Sequence, residues 1–170
     1  MKIRVCFEKT EAGRYLSHLD LTRTMERSLR RAKAPLAFSE GFNPHVKMAF
    51  AHALSVGTTG KREYMDVEMA SRVSVKRFCA DLEEAFPPAL GLVAAEELLT
   101  GGKSLTALLN LAVYRITALL PEGEGENAAR GVEMVLAAKE LWRKPREKPG
   151  KKASPPMCGR FCGCIRLWLP

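Results

Sequence analysis

Long apolar runs are absent from this 170-residue chain, and so are the common catalytic motifs. No stretch approaches the ~18 apolar residues that mark a membrane-spanning helix. The sequence contains no phosphate-binding loop, no Rossmann glycine pattern and no nucleophile elbow around a serine. These absences argue against a membrane protein and against the commonest classes of nucleotide-dependent enzyme and hydrolase.

Histidine and paired cysteines are also scarce. The three histidines are His18, His45 and His52, and His52 lies in an apolar run that favours a structural role. Cys6 and Cys79 are isolated, which is typical of a reducing compartment. The first residues alternate charged and apolar side chains and lack the apolar core of a signal peptide. We therefore expect a cytoplasmic protein that does not contact membranes.

The net charge of +8 is concentrated near one end of the chain. Residues 139–170 carry nine Lys and Arg against two acidic residues, whereas residues 1–138 carry 18 against 17. Overall charge therefore does not indicate nucleic-acid binding by the larger part of the chain. Any basic surface in that part must be local.

The apolar pattern of residues 1–100 predicts the order βαββαβ. Strands are expected at 2–8, 46–54, 63–69 and 90–96, and helices at 17–32 and 74–86. In the third strand, Met65, Val67 and Met69 are expected to face the core, with Tyr64, Asp66 and Glu68 facing out. This order is typical of an α+β, ferredoxin-like sandwich, in which two helices cover an antiparallel sheet.

Residues 101–141 resemble the beginning of a second ferredoxin-like unit that stays incomplete. A short helix is expected at 103–110, a strand at 111–120 and a helix at 127–141. Residues 142–170 then lose all periodicity and are basic and rich in proline and cysteine. We consider two interpretations, a disordered basic arm that adds affinity for RNA and out-of-frame translation beginning near Leu141. The abrupt loss of pattern inside an unfinished domain favours the second.

The clustered cysteines of this tail suggest a metal site at first sight. Cys158, Cys162 and Cys164 supply three sulfur ligands, and no His or Cys within sixty residues upstream supplies the fourth that zinc requires. We therefore predict no metal site here and no cofactor.

The residues that carry the most chemistry lie between Arg14 and His45. Ser17 and Asp20 have capping-box spacing, so a helix is expected to begin there, with one apolar face formed by Leu21, Met25 and Leu29. The opposite face carries arginines within about 60° of each other, with one more at the edge: Arg23, Arg27, Arg30 and Arg31. Guanidinium groups in a row suit phosphate, because each binds two oxygens. Basic side chains near a helix C-terminus equally favour the helix dipole, which is the structural alternative.

The loop Ser39–His45 follows this helix and contains Gly41 and Pro44, which restrict it and orient Phe42 and His45. Helical geometry directs His18 toward the predicted sheet, near this loop. The pair His18 and His45, with Asp20 or Glu40, is therefore a candidate for acid–base catalysis or for binding a metal. No metal-binding spacing accompanies the pair, and a histidine near a helix cap usually hydrogen-bonds the backbone.

The successive motifs R-Y-L-S-H-L-D-L-x-R, R-x-L-R-R-A, S-E-G-F-N-P-H-x-K and E-Y-x-D-x-E resemble the radical SAM-associated (radical SAM-linked) domain of uncharacterised function. The resemblance runs from about Lys2 to about Leu120. Members occur as separate small proteins or fused to a cobalamin-binding radical SAM protein, so the resemblance implies a radical SAM partner and no particular reaction. It marks the matching positions as the candidate site: Arg14, Ser17, His18, Asp20, Arg27, Arg30, Arg31, Ser39, Gly41, Phe42, Pro44, His45, Lys47, Glu63 and Asp66.

We rank first an accessory domain that binds RNA, such as tRNA or rRNA, or another phosphate-bearing substrate, for a radical SAM protein. A base would stack on Phe42 or Tyr15. The predicted binding residues are Arg14, Tyr15, Arg23, Arg27, Arg30, Arg31, Phe42, His45 and Lys47. The alternatives are a protein-interaction domain whose arginines meet an acidic surface and, ranked last, an RNA-processing enzyme that uses His18, His45 and Asp20.

Overall fold

The computed structural model describes residues 1–98, 104–109, 112–117, 119–137, 141–142 and 158–159. The chain divides into two compact units, Met1–Asn110 and Leu111–Pro170. This boundary falls after the short helix that the sequence analysis had grouped with the second unit.

The first unit contains a four-stranded sheet and two longer helices. Its elements in chain order are β1 (Lys2–Lys9), α1 (His18–Arg31), β2 (Met48–Phe50), β3 (Gly60–Glu68), α2 (Val75–Ala85), β4 (Leu90–Leu98) and the one-turn α3 (Leu105–Leu108). The strand order is β2-β3-β1-β4, and all neighbouring strands are antiparallel. This arrangement confirms the predicted ferredoxin-like α+β fold.

The core lies between the helices and one face of the sheet. Ile3 and Val5 of β1 pair with Val67 and Met65 of β3, and all four side chains are buried in one cluster. The helices close this cluster with Leu21, Met25 and Leu29 of α1 and with Phe78 and Leu82 of α2. Each fully buried side chain of this kind stabilises the fold by roughly 1.5–3 kcal/mol relative to exposure.

A side-chain cap defines the start of α1, and a change of backbone conformation defines its end. The Ser17 hydroxyl accepts a hydrogen bond from the Asp20 backbone N–H at 3.2 Å and donates one to Asp20 Oδ2 at 2.6 Å. At the other end, Lys33 adopts a left-handed φ of 52°, which stops the helix, and Pro35 follows. The predicted helix 17–32 is therefore confirmed, with its first and last residues acting as the caps.

The opposite face of the sheet holds a buried ion pair. Arg4 donates from Nε to Asp66 Oδ1 at 2.8 Å and from Nη2 to Asp66 Oδ2 at 3.0 Å. Asp66 does face away from the helices, as the alternation predicted, but it is not exposed, since only 5% of its side chain is accessible. The two-pronged contact satisfies the buried carboxylate.

β2 is shorter than the predicted strand 46–54. Val46 pairs with Phe38 and not with β3, and Leu36 forms a further bridge with Met69. Residues 36–47 therefore form a small hairpin that joins the end of β3 at Glu68, whose N–H donates to Lys47 O and whose carbonyl accepts from the Ala37 N–H, both at 2.9 Å. The strand β2 itself covers only Met48–Phe50. The local pattern gave no sign of this competing partner.

The second unit contains α4 (Gly125–Ala137) and a two-residue antiparallel pair, β5 (Leu141–Trp142) with β6 (Cys158–Gly159). The strand predicted at 111–120 is missing from its described residues, 112–117 and 119–120, where Val113 and Ile116 are exposed. A strand needs a neighbour for its backbone hydrogen bonds, and no described segment pairs with this one. The rest of the tail, including Cys162 and Cys164, lies outside the described residues.

None of the helices in the described part of the chain has the length and apolar content required to cross a membrane.

Candidate functional site

Four exposed arginines on α1, here called the arginine surface, form the most basic feature of the first unit: Arg23, Arg27, Arg30 and Arg31. They lie opposite the buried face of the helix, as the spacing predicted. Two of them are engaged within the helix. Arg30 Nη2 lies 2.7 Å from Glu26 Oε1, and Arg23 Nη1 lies 4.0 Å from Asp20 Oδ1.

Arg27 and Arg31 have no carboxylate partner among the described residues. Arg27 makes no side-chain hydrogen bond there, and Arg31 has a single contact of 3.3 Å, to the Ser28 hydroxyl. Their guanidinium groups therefore keep most of their donors available to an external anion. A phosphate is a suitable ligand, because it accepts two parallel hydrogen bonds from one guanidinium.

Phe38 links the arginine surface to the loop that follows. The Arg30 guanidinium carbon lies 5.1 Å from the centre of the Phe38 ring, in cation–π geometry. The base of the loop is closed next to it, where the Ser39 N–H donates to His45 O at 2.8 Å and the His45 N–H donates to Ser39 Oγ at 3.0 Å. The loop Ser39–His45 is thus fixed beside the C-terminal half of α1.

Phe42 occupies the tip of this closed loop and is fully exposed. The preceding Gly41 has φ of +124°, a conformation that favours glycine. Four peptide units separate Phe38 from Phe42, so their Cα atoms are at most about 14 Å apart. The arginine surface and an exposed aromatic ring therefore share one end of the domain.

The structure does not bring His18 and His45 together. His18 lies in the first turn of α1, where its ring packs edge-on against Phe50 with 5.4 Å between ring centres. His45 lies near Phe38 and therefore near Arg30, which is about 18 Å along the helix axis from His18. Asp20 contacts Ser17 and Arg23 instead of either histidine. The proposed acid–base set is not assembled in this arrangement.

Arg14 and Tyr15 lie at the N-terminal end of α1, away from Arg27 and Arg31. Arg14 Nε donates to Gly57 O at 3.0 Å, and the Gly57 N–H donates to Arg14 O at 2.9 Å. Tyr15 is exposed beside the Arg14 guanidinium, which lies 5.5 Å from its ring centre. These contacts anchor the turn before α1 and separate both residues from the arginine surface.

Lys47 projects from the opposite face of the sheet. Its neighbours Val46 and Met48 both pack toward the core, and successive side chains of an extended segment point to opposite faces. Lys47 is therefore not part of the arginine surface. The same holds for Asp66, which is occupied by Arg4.

Lys9 and Glu63 are close enough for each charge to influence the other, and of the two only Glu63 was among the predicted site positions. Lys9 is 1% exposed, and its Nζ donates to Leu16 O at 3.0 Å, which ties the end of β1 to the entry of α1. Burial lowers the pKa of Lys9, against the opposing influence of Glu63. Burial also raises the pKa of the half-buried Glu63, while His52 and Lys9 oppose that shift. His52, which lies in an apolar run, is exposed.

A sequence signal for Lys9 exists. It continues the inward-facing series Ile3, Val5 and Phe7 at the next odd position, so the alternation of β1 places this ammonium inside.

Across the described ranges, no group of three or more His, Cys, Asp and Glu side chains is arranged to hold a metal ion.

Fold and site together define a ferredoxin-like α+β domain with a basic helix and an adjoining aromatic loop. Residues 2–155 match the family described as an uncharacterized protein conserved in bacteria (DUF2344). Because the match covers most of the chain, the protein belongs to this family. No curated protein matches the chain.

Proposed function

We propose that the first unit is a cytoplasmic accessory domain that binds RNA, or another phosphate-bearing substrate, for a radical SAM protein. The observation that carries the proposal is the pair Arg27 and Arg31, which are exposed, adjacent on one helix face and without a carboxylate partner in the described structure. Such a pair attracts a phosphate backbone without requiring a particular base sequence.

The opposite face of the sheet is a poor alternative surface for RNA. Sheets that bind single-stranded RNA place aromatic rings on their central strands. Here the central strands are β1 and β3, and their outward positions hold Arg4 paired with Asp66, the buried Cys6 and one aromatic side chain, Tyr64. The side of the domain that carries α1 offers the better combination of charge and aromatic surface. There Phe38 contacts Arg30, and Phe42 lies at the tip of the adjoining loop.

An accessory role agrees with the chemistry of the site. The arginines and Phe42 supply binding groups, and the separated His18 and His45 do not supply a paired acid and base. The reacting groups would therefore come from the partner. That the partner is a radical SAM protein of the cobalamin-binding kind rests on the sequence motifs between Arg14 and Glu68.

A protein-interaction domain is the second candidate function. Asp20 and Glu26 lie on the same helix as the arginines and pair with Arg23 and Arg30. A helix face of mixed charge suits a protein surface of complementary charge.

Binding of labelled tRNA and of an rRNA fragment to the full chain tests the first proposal. We expect affinity to fall steeply as salt rises from about 50 to about 200 mM, because binding releases counterions from phosphates. Arg27→Ala/Arg31→Ala is expected to weaken binding and to reduce the log–log salt slope by about 1.4–1.8, since two phosphate contacts are lost.

Arg72→Ala/Arg77→Ala is the matched control. It removes the same charge from exposed arginines of the same unit and leaves residues 139–170 unchanged. Equal losses of RNA affinity in the two double variants would show that the positive charge of Arg27 and Arg31 acts non-specifically. Absence of RNA binding at low salt, together with co-purification of a radical SAM protein, would support the interaction domain instead.

A further inference from the structure

Phe42 differs from Phe38 in how much of its ring is exposed. One face of the Phe38 ring is occupied by Arg30, whereas Phe42 is fully exposed and makes no aromatic or cation–π contact with any described residue. Its loop is closed by two hydrogen bonds between Ser39 and His45. Both faces of the Phe42 ring are therefore available on a support whose base is already ordered.

The chain between Phe38 and Phe42 limits how far this ring can lie from the arginine that contacts Phe38. Arg31 is one residue after Arg30, Arg30 contacts Phe38, and the Phe42 Cα lies within about 14 Å of the Phe38 Cα. A single-stranded segment of a few nucleotides spans such a distance, and grooves for single strands combine basic side chains with aromatic rings in this way.

We propose, building on the RNA-binding function above, that the surface selects single-stranded over duplex RNA, with an unpaired base stacked on Phe42. In an A-form duplex the bases are already stacked on one another, and the deep, narrow major groove excludes side chains. A duplex would meet the arginines but would leave Phe42 without a partner. An unpaired base at a loop, bulge or free end engages both.

The test compares an unstructured RNA oligonucleotide with a duplex of the same sequence, using the full chain. We expect tighter binding of the single strand. Phe42→Ala is expected to lower the single-strand affinity by about 5- to 150-fold and to leave the duplex affinity and the salt slope unchanged, because no phosphate contact is lost. Phe42→Trp is expected to retain single-strand binding and to report the stacked base by quenching of its fluorescence.

Val56→Ala is the control, since it shortens an exposed apolar side chain next to Gly57, at the other end of α1. Phe42 has no packing role, so unchanged circular dichroism is expected for its variants. Equal binding of both RNA forms, or no effect of Phe42→Ala while Arg27→Ala/Arg31→Ala still weakens binding, would overturn the single-strand inference and leave the RNA-binding function standing. Failure of every RNA to bind would overturn both.

Discussion

Lys9 places an ammonium group where the alternation of β1 requires a core side chain. A buried charge is costly unless it is paired and hydrogen-bonded, and the contact found for Lys9 is one backbone oxygen, that of Leu16. This contact joins the end of β1 to the residue before the Ser17 cap. The contact therefore holds the residue that precedes α1 against the end of β1.

Glu63 makes the stability of the first unit depend on pH in a defined direction. Burial raises the pKa of Glu63 above its ordinary value of 4.5. The stability associated with its protonated form is present below that value and is lost as pH rises through the raised pKa. We expect the free energy of unfolding of the parent to fall relative to that of Glu63→Gln as pH rises from about 4.5 toward neutral.

Denaturant unfolding at a series of pH values measures this difference. Glu84→Gln, at an exposed position of α2, is the control and should differ from the parent by a constant amount. A free energy of unfolding of the parent that stays constant relative to that of Glu63→Gln, or that rises relative to it, as pH rises would contradict the assignment of Glu63 as a carboxyl destabilised by burial.

At the scale of elements, the two longer helices of the first unit differ in their N-terminal caps. The Ser17 side chain bonds the Asp20 N–H, whereas Ser74 at the start of α2 makes no side-chain capping bond. We expect Ser17→Ala to lower the free energy of unfolding by about 1 kcal/mol, the usual value of a serine cap. Ser74→Ala should have little effect, and denaturant midpoints of the two variants provide the comparison. Equal decreases in the free energy of unfolding of the two variants would argue against a specific capping role for Ser17.

Local patterns were sufficient for elements whose partners are nearby or whose ends carry a signal. Ser17, Asp20 and the apolar spacing of Leu21, Met25 and Leu29 defined α1 and its buried face. The hairpin 36–47 depends instead on the bridges Leu36 to Met69 and Phe38 to Val46, which join residues of ordinary composition. The length of β2 was therefore mispredicted, because the competing partner of Val46 is not encoded in its immediate neighbours.

The candidate site was predictable to the extent that it lies on one helix. The spacing of Arg23, Arg27 and Arg30 placed them together and outward. The spacing of the arginines does not indicate at which end of the sheet the loop Ser39–His45 emerges. For this reason His18 and His45 were expected side by side, although they lie near opposite ends of α1. Lys47 was misplaced for a related reason, since its direction depends on the register of its segment with the sheet.

At the scale of the whole molecule, the first unit contains its own core. All members of the main buried cluster lie between Ile3 and Leu90, and the unit ends at Asn110. We expect residues 1–110 to fold alone, with helix and strand signals in circular dichroism and a cooperative unfolding transition.

Circular dichroism of the fragment measures the first unit alone. Both tryptophans, Trp142 and Trp168, lie outside residues 1–110, so the fragment has no tryptophan signal of its own. A fragment 1–110 that lacks a cooperative transition would show that the first unit depends on the rest of the chain.

Because β1 lies inside the sheet, the sheet cannot be completed until both neighbouring strands have been synthesised. β1 is made first, yet its partners are distant in sequence, since Ile3 pairs with Val67 and with Glu97. At about 5–20 residues per second, the end of β4 leaves the peptidyl-transferase centre about 4–18 s after the end of β1. Until that interval ends, the nascent chain holds Ile3, Val5 and Phe7 without their complete sheet. The amino-terminal segment consequently needs protection from aggregation while the ribosome completes the domain.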